Sequence, residues 1–436
     1  MTTNMMAHGR GLVRDRLGLS FLICLHTFVC CASLVCIATV HPEFHIFYQP
    51  EKLGTAVAVV GVFALVSVVF VFADFSPGYF IGFYFYTMIV GYLWLNLFSE
   101  FAYDHRLAGL SAAASTIAFL LPALFIRSPL PPVWTLSPRG LDRLLVAILL
   151  LAIATLAAGA SYNFRMVPLD KIYYFRDHLK SPTVINYLTP MTSNALLPFA
   201  FACFVERKSY RGAGTVLLLM LCFYPITLSK LAVFTPLLLL GLASISRFFD
   251  LRITVVCSLL APMVVGVILF VLFRYEMIPH NAAMPYFGLV NFRTIAFPSL
   301  AMDYYNEFFF RHDLTYFCQI SLLKPFVACP YQEQLGVVIY KAFGIGGNFN
   351  ASLFATEGIA SVGPTFAPVT ALACGLVIGL ANRVSSGLPP RFILVSSAIV
   401  VQILLNVPFT TVLLTHGAAI LFLLWYIMPR TIPDGR

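Results

Sequence analysis

The chain has 436 residues, of which 60% are hydrophobic and only 10% charged, against about 25% charged in a soluble domain. That excludes a water-soluble globule, and apolar runs of about 17 to 23 residues match the length that crosses ~30 Å of hydrocarbon. The formal net charge of +9 does not point to nucleic acid, because the basic residues are dispersed and the aromatic ones sit inside apolar runs.

Arg10, Arg14 and Arg16 precede an apolar run over residues 17–39. The run is longer than the h-region of a signal peptide and lacks a small-residue cleavage site, so it reads as a retained first helix. Further apolar segments centre near residues 63, 88, 117, 152, 195, 221, 238, 263, 372, 399 and 419, each bounded by charge or by Pro and Gly. The expectation is an all-α polytopic membrane protein with about twelve crossings. It forms one integral membrane domain over residues 1–436, with outside loops at 161–187 and 274–349. With the N-terminus inside, the inside segments hold Arg10, Arg14, Arg16, Arg127, Arg139, Arg143, Arg207, Lys208, Arg211, Arg247, Arg252, Arg383, Arg391, Arg430 and Arg436. The positive-inside rule therefore predicts two cytoplasmic termini.

Two outside stretches break that rule. Arg165, Lys171, Arg176 and Lys180 lie in the first, and Arg274, Arg293, Arg311, Lys324 and Lys341 in the second. A polyanionic ligand at that face would explain them. So would surface ion pairs with Asp170, Asp177, Glu276, Asp303, Glu307, Asp313 and Glu333, and both explanations stay open. Within the second stretch, residues 299–317 read as one amphipathic interfacial helix on which Asp303, Glu307 and Arg311 share a face. Cys318 and Cys329 also fall here, where an oxidising compartment would permit a disulfide without requiring one. The remaining cysteines lie mostly inside apolar runs, as packing residues do.

Phosphate-loop, dinucleotide, Asp-x-Asp and His-x-x-x-His signatures are missing, which removes ATP-driven transport and zinc hydrolysis. The glycines of FGIGGNFN (residues 343–350) read as a flexible approach to the next helix rather than a phosphate cradle. Asn406 and His416 fall in the last hairpin, where a polar group is either functional or a helix contact.

The stretch VPLDKIYYFRDHLKSPTVINYL (residues 167–188), followed by ERKSY (206–210), resembles the corresponding segment of the bacterial O-antigen and oligosaccharide repeat-unit polymerases, the Wzy-like family. TLSKLAVFTPLLLL (227–240), FRYEM (273–277), NFRTIAF (291–297) and FATEGIASVGPTFAPVTALACGLVIG (354–379) are similar to further family segments in the family's order. The resemblance covers residues 162–383, while the first 160 match in hydropathy alone.

The resemblance implies a lipid-dependent, GT-C-like glycosyltransferase at the periplasmic face of the bacterial inner membrane. It would move a growing glycan from undecaprenyl pyrophosphate onto the sugar of an incoming lipid-linked repeat unit, making O-antigen or exopolysaccharide. No nucleotide, metal or other cofactor is implied. The implied partners are the lipid-linked donor and acceptor, membrane lipids and a chain-length regulator, with no nucleic acid. Carried over by motif, Arg176, Lys230 and Arg293 would bind pyrophosphate. Lys230 replaces an arginine that many relatives carry, a point charge in place of a fork. Arg311 and Arg274 are further phosphate candidates, Arg274 equally an interface anchor. The acceptor hydroxyl must lose a proton, and Glu307, Asp303 and His312 are the candidate bases. The O-antigen ligase, which transfers the same donor to lipid A core, and a flippase or secondary transporter are the alternatives.

Overall fold

A computed structural model describes residues 2–168, 171–176, 179, 181–320, 323–345, 349, 355–404 and 406–430, and of residues 2–14, 173 and 176 the backbone alone. The described residues are helical, with one isolated bridge between Ile46 and Ser99. Nine helices among them are long and apolar enough to cross a membrane. Three shorter apolar helices, Lys230–Ile245, Pro390–Leu404 and Ala418–Ile427, stand at the remaining apolar centres of the sequence. This is the all-α pattern of a multi-pass membrane protein. Arg10, Arg14, Asp170, Asp177, Lys180, Arg436 and four residues of FGIGGNFN (346–348 and 350) lie outside the described side chains.

The chain divides into two compact units. The first comprises residues 1–125, 252–378 and 405–408. Its main helices are α1 (Thr2–Val40), α2 (Leu53–Ala64), α3 (Pro77–Leu95), α4 (His105–Phe125), α5 (Leu251–Arg274), α6 (His280–Phe287), α7 (Phe297–Arg311), α8 (Leu335–Phe343) and α9 (Glu357–Ser385), the last belonging to it as far as Ile378. At the centre is α3, buried along its whole length. It is apolar on every side, so no face is reserved for lipid or water. Ser76 starts it by accepting the Tyr79 N–H (3.1 Å), with Pro77 in the first turn.

Packed on α3 is a helical run that the sequence suggested would lie at the interface. From His280 to Arg311 the chain is continuously helical, passing through a π-helical stretch at Gly288–Ala296. Its contacts step back along α5, from the Phe273–His280 ring pair to Phe270–Phe287 and then to Asn291, whose Nδ2 donates to the Met263 carbonyl (2.9 Å) and to Ser33 Oγ (2.9 Å). They then follow α3, where Ser299 Oγ donates to the Met88 carbonyl (3.3 Å) and Asn306 Nδ2 to the Tyr92 hydroxyl (3.1 Å). The expected interfacial helix over 299–317 is thereby corrected. It ends at Arg311, and its residues from Pro298 to Phe309 are buried.

Where helices associate inside lipid, small residues let backbones approach closely. A Cβ at Gly266 would collide with the Asn291 side chain, and one at Gly91 with Ser299 and Ile295. Asn291 is fully buried and hydrogen-bonded, so it has nowhere to swing. Gly266→Leu is therefore expected to destabilise the first unit by about 1–3 kcal/mol or more. Loss of the monodisperse peak in detergent size exclusion, with Gly61→Leu, which meets nothing within 4 Å, as the tolerated control, checks this.

The second unit comprises residues 126–251, 379–404 and 409–436. Its centre is the helix Leu197–Glu206, entered through a π-helical stretch at Thr192–Leu196 and packed on Pro390–Leu404. Several of the basic residues counted as inside have structural tasks here. Arg391 donates to the Ala243 carbonyl (2.6 Å) near the end of Lys230–Ile245, Arg383 to the Ser128 carbonyl (3.1 Å), and Arg207 pairs with Asp142 (2.5 Å).

Candidate functional site

In the first unit, α7 and the segment joining α3 to α4 build a polar cluster. Asp303 is wholly buried; its carboxyl receives Ser99 Oγ (2.8 Å) and the Tyr103 hydroxyl. One turn on, Glu307 accepts the Ala102 N–H (3.0 Å) on one oxygen and the Arg311 guanidinium (2.9 Å) on the other. The i, i+4 spacing puts both carboxyls on one helix face. That face is covered by residues 99–103 rather than open to water.

The proton inventory of this cluster is constrained. Asn96 Nδ2 donates to the His105 carbonyl (2.9 Å), which fixes the amide so that Oδ1 faces Tyr103 (2.8 Å) and His105 Nδ1 (2.7 Å). His105 Nε2 faces the Phe101 carbonyl (2.8 Å), so the ring bridges Asn96 and the backbone of the α3–α4 connection. Tyr103 has one proton and lies against three oxygens, Asn96 Oδ1, Asp303 Oδ1 and the Tyr92 hydroxyl (3.1 Å). One proton cannot serve all three, and a proton on Asp303 relieves the competition. Burial acts the same way: desolvation raises the Asp303 carboxyl to about 7, and the Glu307 charge adds to it, against the lowering effect of Tyr103 and Ser99.

A carboxyl raised on folding binds protons in the folded state that the unfolded state has released. Its contribution to stability therefore falls as pH rises from its ordinary 3.8 through about 7. Asp303→Asn reproduces the protonated shape. It is expected to flatten that part of the melting profile and to leave the variant more stable than wild type at alkaline pH, by on the order of 4 kcal/mol as an upper bound. Thermal melts in detergent across that pH range check it.

The structure brings together Asp303, Glu307 and Arg311 and leaves His312 apart. His312 is exposed, stacked flat on Phe308 (centroids 4.0 Å) with Nδ1 on the Phe308 carbonyl (2.8 Å). Arg274 is exposed at the end of α5. Arg293 is exposed on the π-helical stretch, its guanidinium 4.6 Å from the centre of the Phe297 ring. Phe297 in turn stacks on Phe349 (4.5 Å). π-Helical insertions recur at functional sites because they re-aim side chains.

In the second unit, two motifs separated in sequence meet. Arg165 N–H donates to the Pro225 carbonyl (2.9 Å), and the Tyr224 hydroxyl donates to the Val167 carbonyl. The stretch carrying Arg165 and Lys171 is thereby tied to the turn before Lys230, a turn closed by Leu228 at φ 44°. The Arg165 guanidinium lies 5.8 Å from the Phe175 ring centre, one residue before Arg176. Arg176 ends the short helix Ile172–Arg176, and its side chain is outside the described set.

Sequence reasoning missed Tyr92, Asn96, Ser99, Tyr103 and His105. The only signal was the density of polar residues in NLFSEFAYDHR (96–106) between two apolar runs. It also passed over Glu357, buried at the head of α9 with one carboxylate oxygen lacking a hydrogen-bond partner among the described residues. An ionisable residue in an apolar segment was the available sign. His416 makes local bonds, Nδ1 to Thr415 Oγ1 (2.9 Å), as a helix contact does.

Fold and clusters together define an all-α, multi-pass membrane protein with a buried carboxylate–tyrosine network in one unit and a basic turn in the other. Compared with protein-family models, curated proteins and solved structures, the chain finds no match.

Proposed function

We propose that the protein is a glycosyltransferase that polymerises undecaprenyl-pyrophosphate-linked repeat units into O-antigen or exopolysaccharide at the periplasmic face of the bacterial inner membrane. The observation that carries this reading is the junction in the second unit. The stretch at Arg165 and Val167, which precedes Arg176, is hydrogen-bonded there to Pro225 and Tyr224, which precede Lys230, and Arg176 and Lys230 are the cations singled out to face a lipid pyrophosphate. The chemistry needs such a site, because negative charge grows on the pyrophosphate as the glycosidic bond breaks, and basic side chains stabilise it preferentially in the transition state.

In the reaction proposed, the acceptor hydroxyl attacks the anomeric carbon of the donor glycan, the bond to pyrophosphate breaks, and the hydroxyl proton passes to a base. Glu307 suits that role better than Asp303, which is wholly buried and bonded to Ser99 and Tyr103, or His312, which stands apart. Arg293 and Arg311 would bind phosphate oxygens. The disulfide joining Cys318 and Cys329 supports an oxidising compartment for that loop; in this reading the chain crosses twelve times with both termini cytoplasmic. A chain-length regulator is the expected protein partner.

A second reading has its own support. A buried carboxyl raised to about 7 and bonded to Tyr103 suits proton-coupled transport. Purified protein in nanodiscs, given lipid-linked repeat units alone, separates the two. Products of increasing repeat number support transfer, whereas proton flux into proteoliposomes without glycan products supports transport.

A further inference from the structure

The Cys318–Cys329 disulfide closes a short apolar loop. Between its cysteines the sequence QISLLKPFVA holds one charged residue, Lys324. Its described tip, residues 323–326, is a tight turn in which the Phe326 N–H donates to the Leu323 carbonyl (2.9 Å). The tip turns its apolar groups outward: Phe326 is 83% exposed, and Leu323, Lys324 and Pro325 are exposed beside it. Gln319 stiffens the base by donating to the carbonyls of Tyr331 (3.4 Å) and Glu333 (3.3 Å).

The base of this loop also fixes its height. Thr315 N–H donates to the Ala360 carbonyl (2.8 Å), Tyr316 N–H to the Ser361 carbonyl (3.1 Å), and the Thr315 and Ser361 hydroxyls pair (3.0 Å). Ala360 and Ser361 lie just before Gly363 (φ 75°), where the helical run Glu357–Ser385, one of those long and apolar enough to span the bilayer, is broken. The loop is therefore stitched to the segment that leads into a helix able to cross the bilayer.

We infer that the disulfide-closed loop is an interfacial membrane anchor, with Phe326 and Leu323 inserted among the upper acyl chains and Lys324 at anionic lipid headgroups. An apolar tip with an adjacent cation is what this boundary takes up. A partner protein fits less well, because a few side chains on one turn fall far short of the ~800 Å² per partner of a stable interface. The inference stands apart from the glycosyltransferase reading, since it requires only that the chain be embedded.

Phe326→Trp tests it in the full-length, oxidised protein, with wild type subtracted to remove the three native tryptophans. The protein is reconstituted in vesicles of phosphatidylcholine and phosphatidylglycerol, with bromine on the upper or the terminal part of the phosphatidylcholine chains. The expected result is a blue-shifted emission that is lost with upper-chain bromine, persists with terminal bromine and resists aqueous iodide. Quenching by iodide with none by either lipid would overturn the inference, as would protection from all three quenchers, which indicates a protein cover. Should Phe326→Trp fail to fold, Leu323→Trp takes the same measurement.

Discussion

Glu307→Gln is expected to slow repeat-unit transfer by roughly two to four orders of magnitude while leaving donor binding intact. Glutamine keeps the shape of the side chain and an oxygen for the Ala102 N–H, so the segment between α3 and α4 stays tied to α7. It loses the capacity to take the acceptor proton. A structural role predicts something different, because Arg311 is 58% exposed and an ion pair with one exposed partner contributes about 1 kcal/mol or less. Arg311→Gln is the internal control: it breaks the same pair, and under the catalytic reading it weakens donor binding instead of slowing transfer alone. Single-turnover rates in nanodiscs, with donor affinity measured separately, check both. Wild-type transfer by Glu307→Gln would return α7 to a purely structural role.

Arg293→Ala is expected to reduce polymerisation by about two to three orders of magnitude, the usual consequence of removing a donor aimed at developing charge. Abundance should be unchanged, since Arg293 is exposed on the π-helical stretch, over the Phe297 ring. Arg293→Lys should rescue poorly, because lysine lacks the planar fork that grips two phosphate oxygens and stacks on an aromatic face. Near-normal chain lengths in the lysine variant would indicate a point-charge anchor rather than a bidentate ligand.

Hydropathy made the helices legible. Every apolar centre of the sequence coincides with an apolar helix, because the bilayer's thickness leaves chain length little freedom. The helix carrying Asp303 was misplaced for a related reason. FPSLAMDYYNEFFFR has few strongly apolar residues, and its aromatic and acidic side chains suit an interface as well as a protein interior. What distinguishes these is the neighbour, and α3 is separated from α7 by some two hundred residues of sequence. The i, i+4 relation of Asp303, Glu307 and Arg311 was visible because it is local. The contributions of Ser99, Tyr103 and Asn96 were not, since they depend on how the α3–α4 connection folds over that face. Gly91 and Gly266 gave no local sign either, as their need arises from Ile295, Ser299 and Asn291 across a helix interface.

The most direct test of polymerase function is the lipopolysaccharide or exopolysaccharide banding pattern of a strain lacking this protein, compared with the same strain complemented. A polymerase predicts that the ladder disappears while a single repeat unit on its carrier or core remains, and that complementation restores the ladder. Loss of every repeat would reassign the protein as a ligase, and an unchanged ladder would contradict a role in glycan assembly altogether.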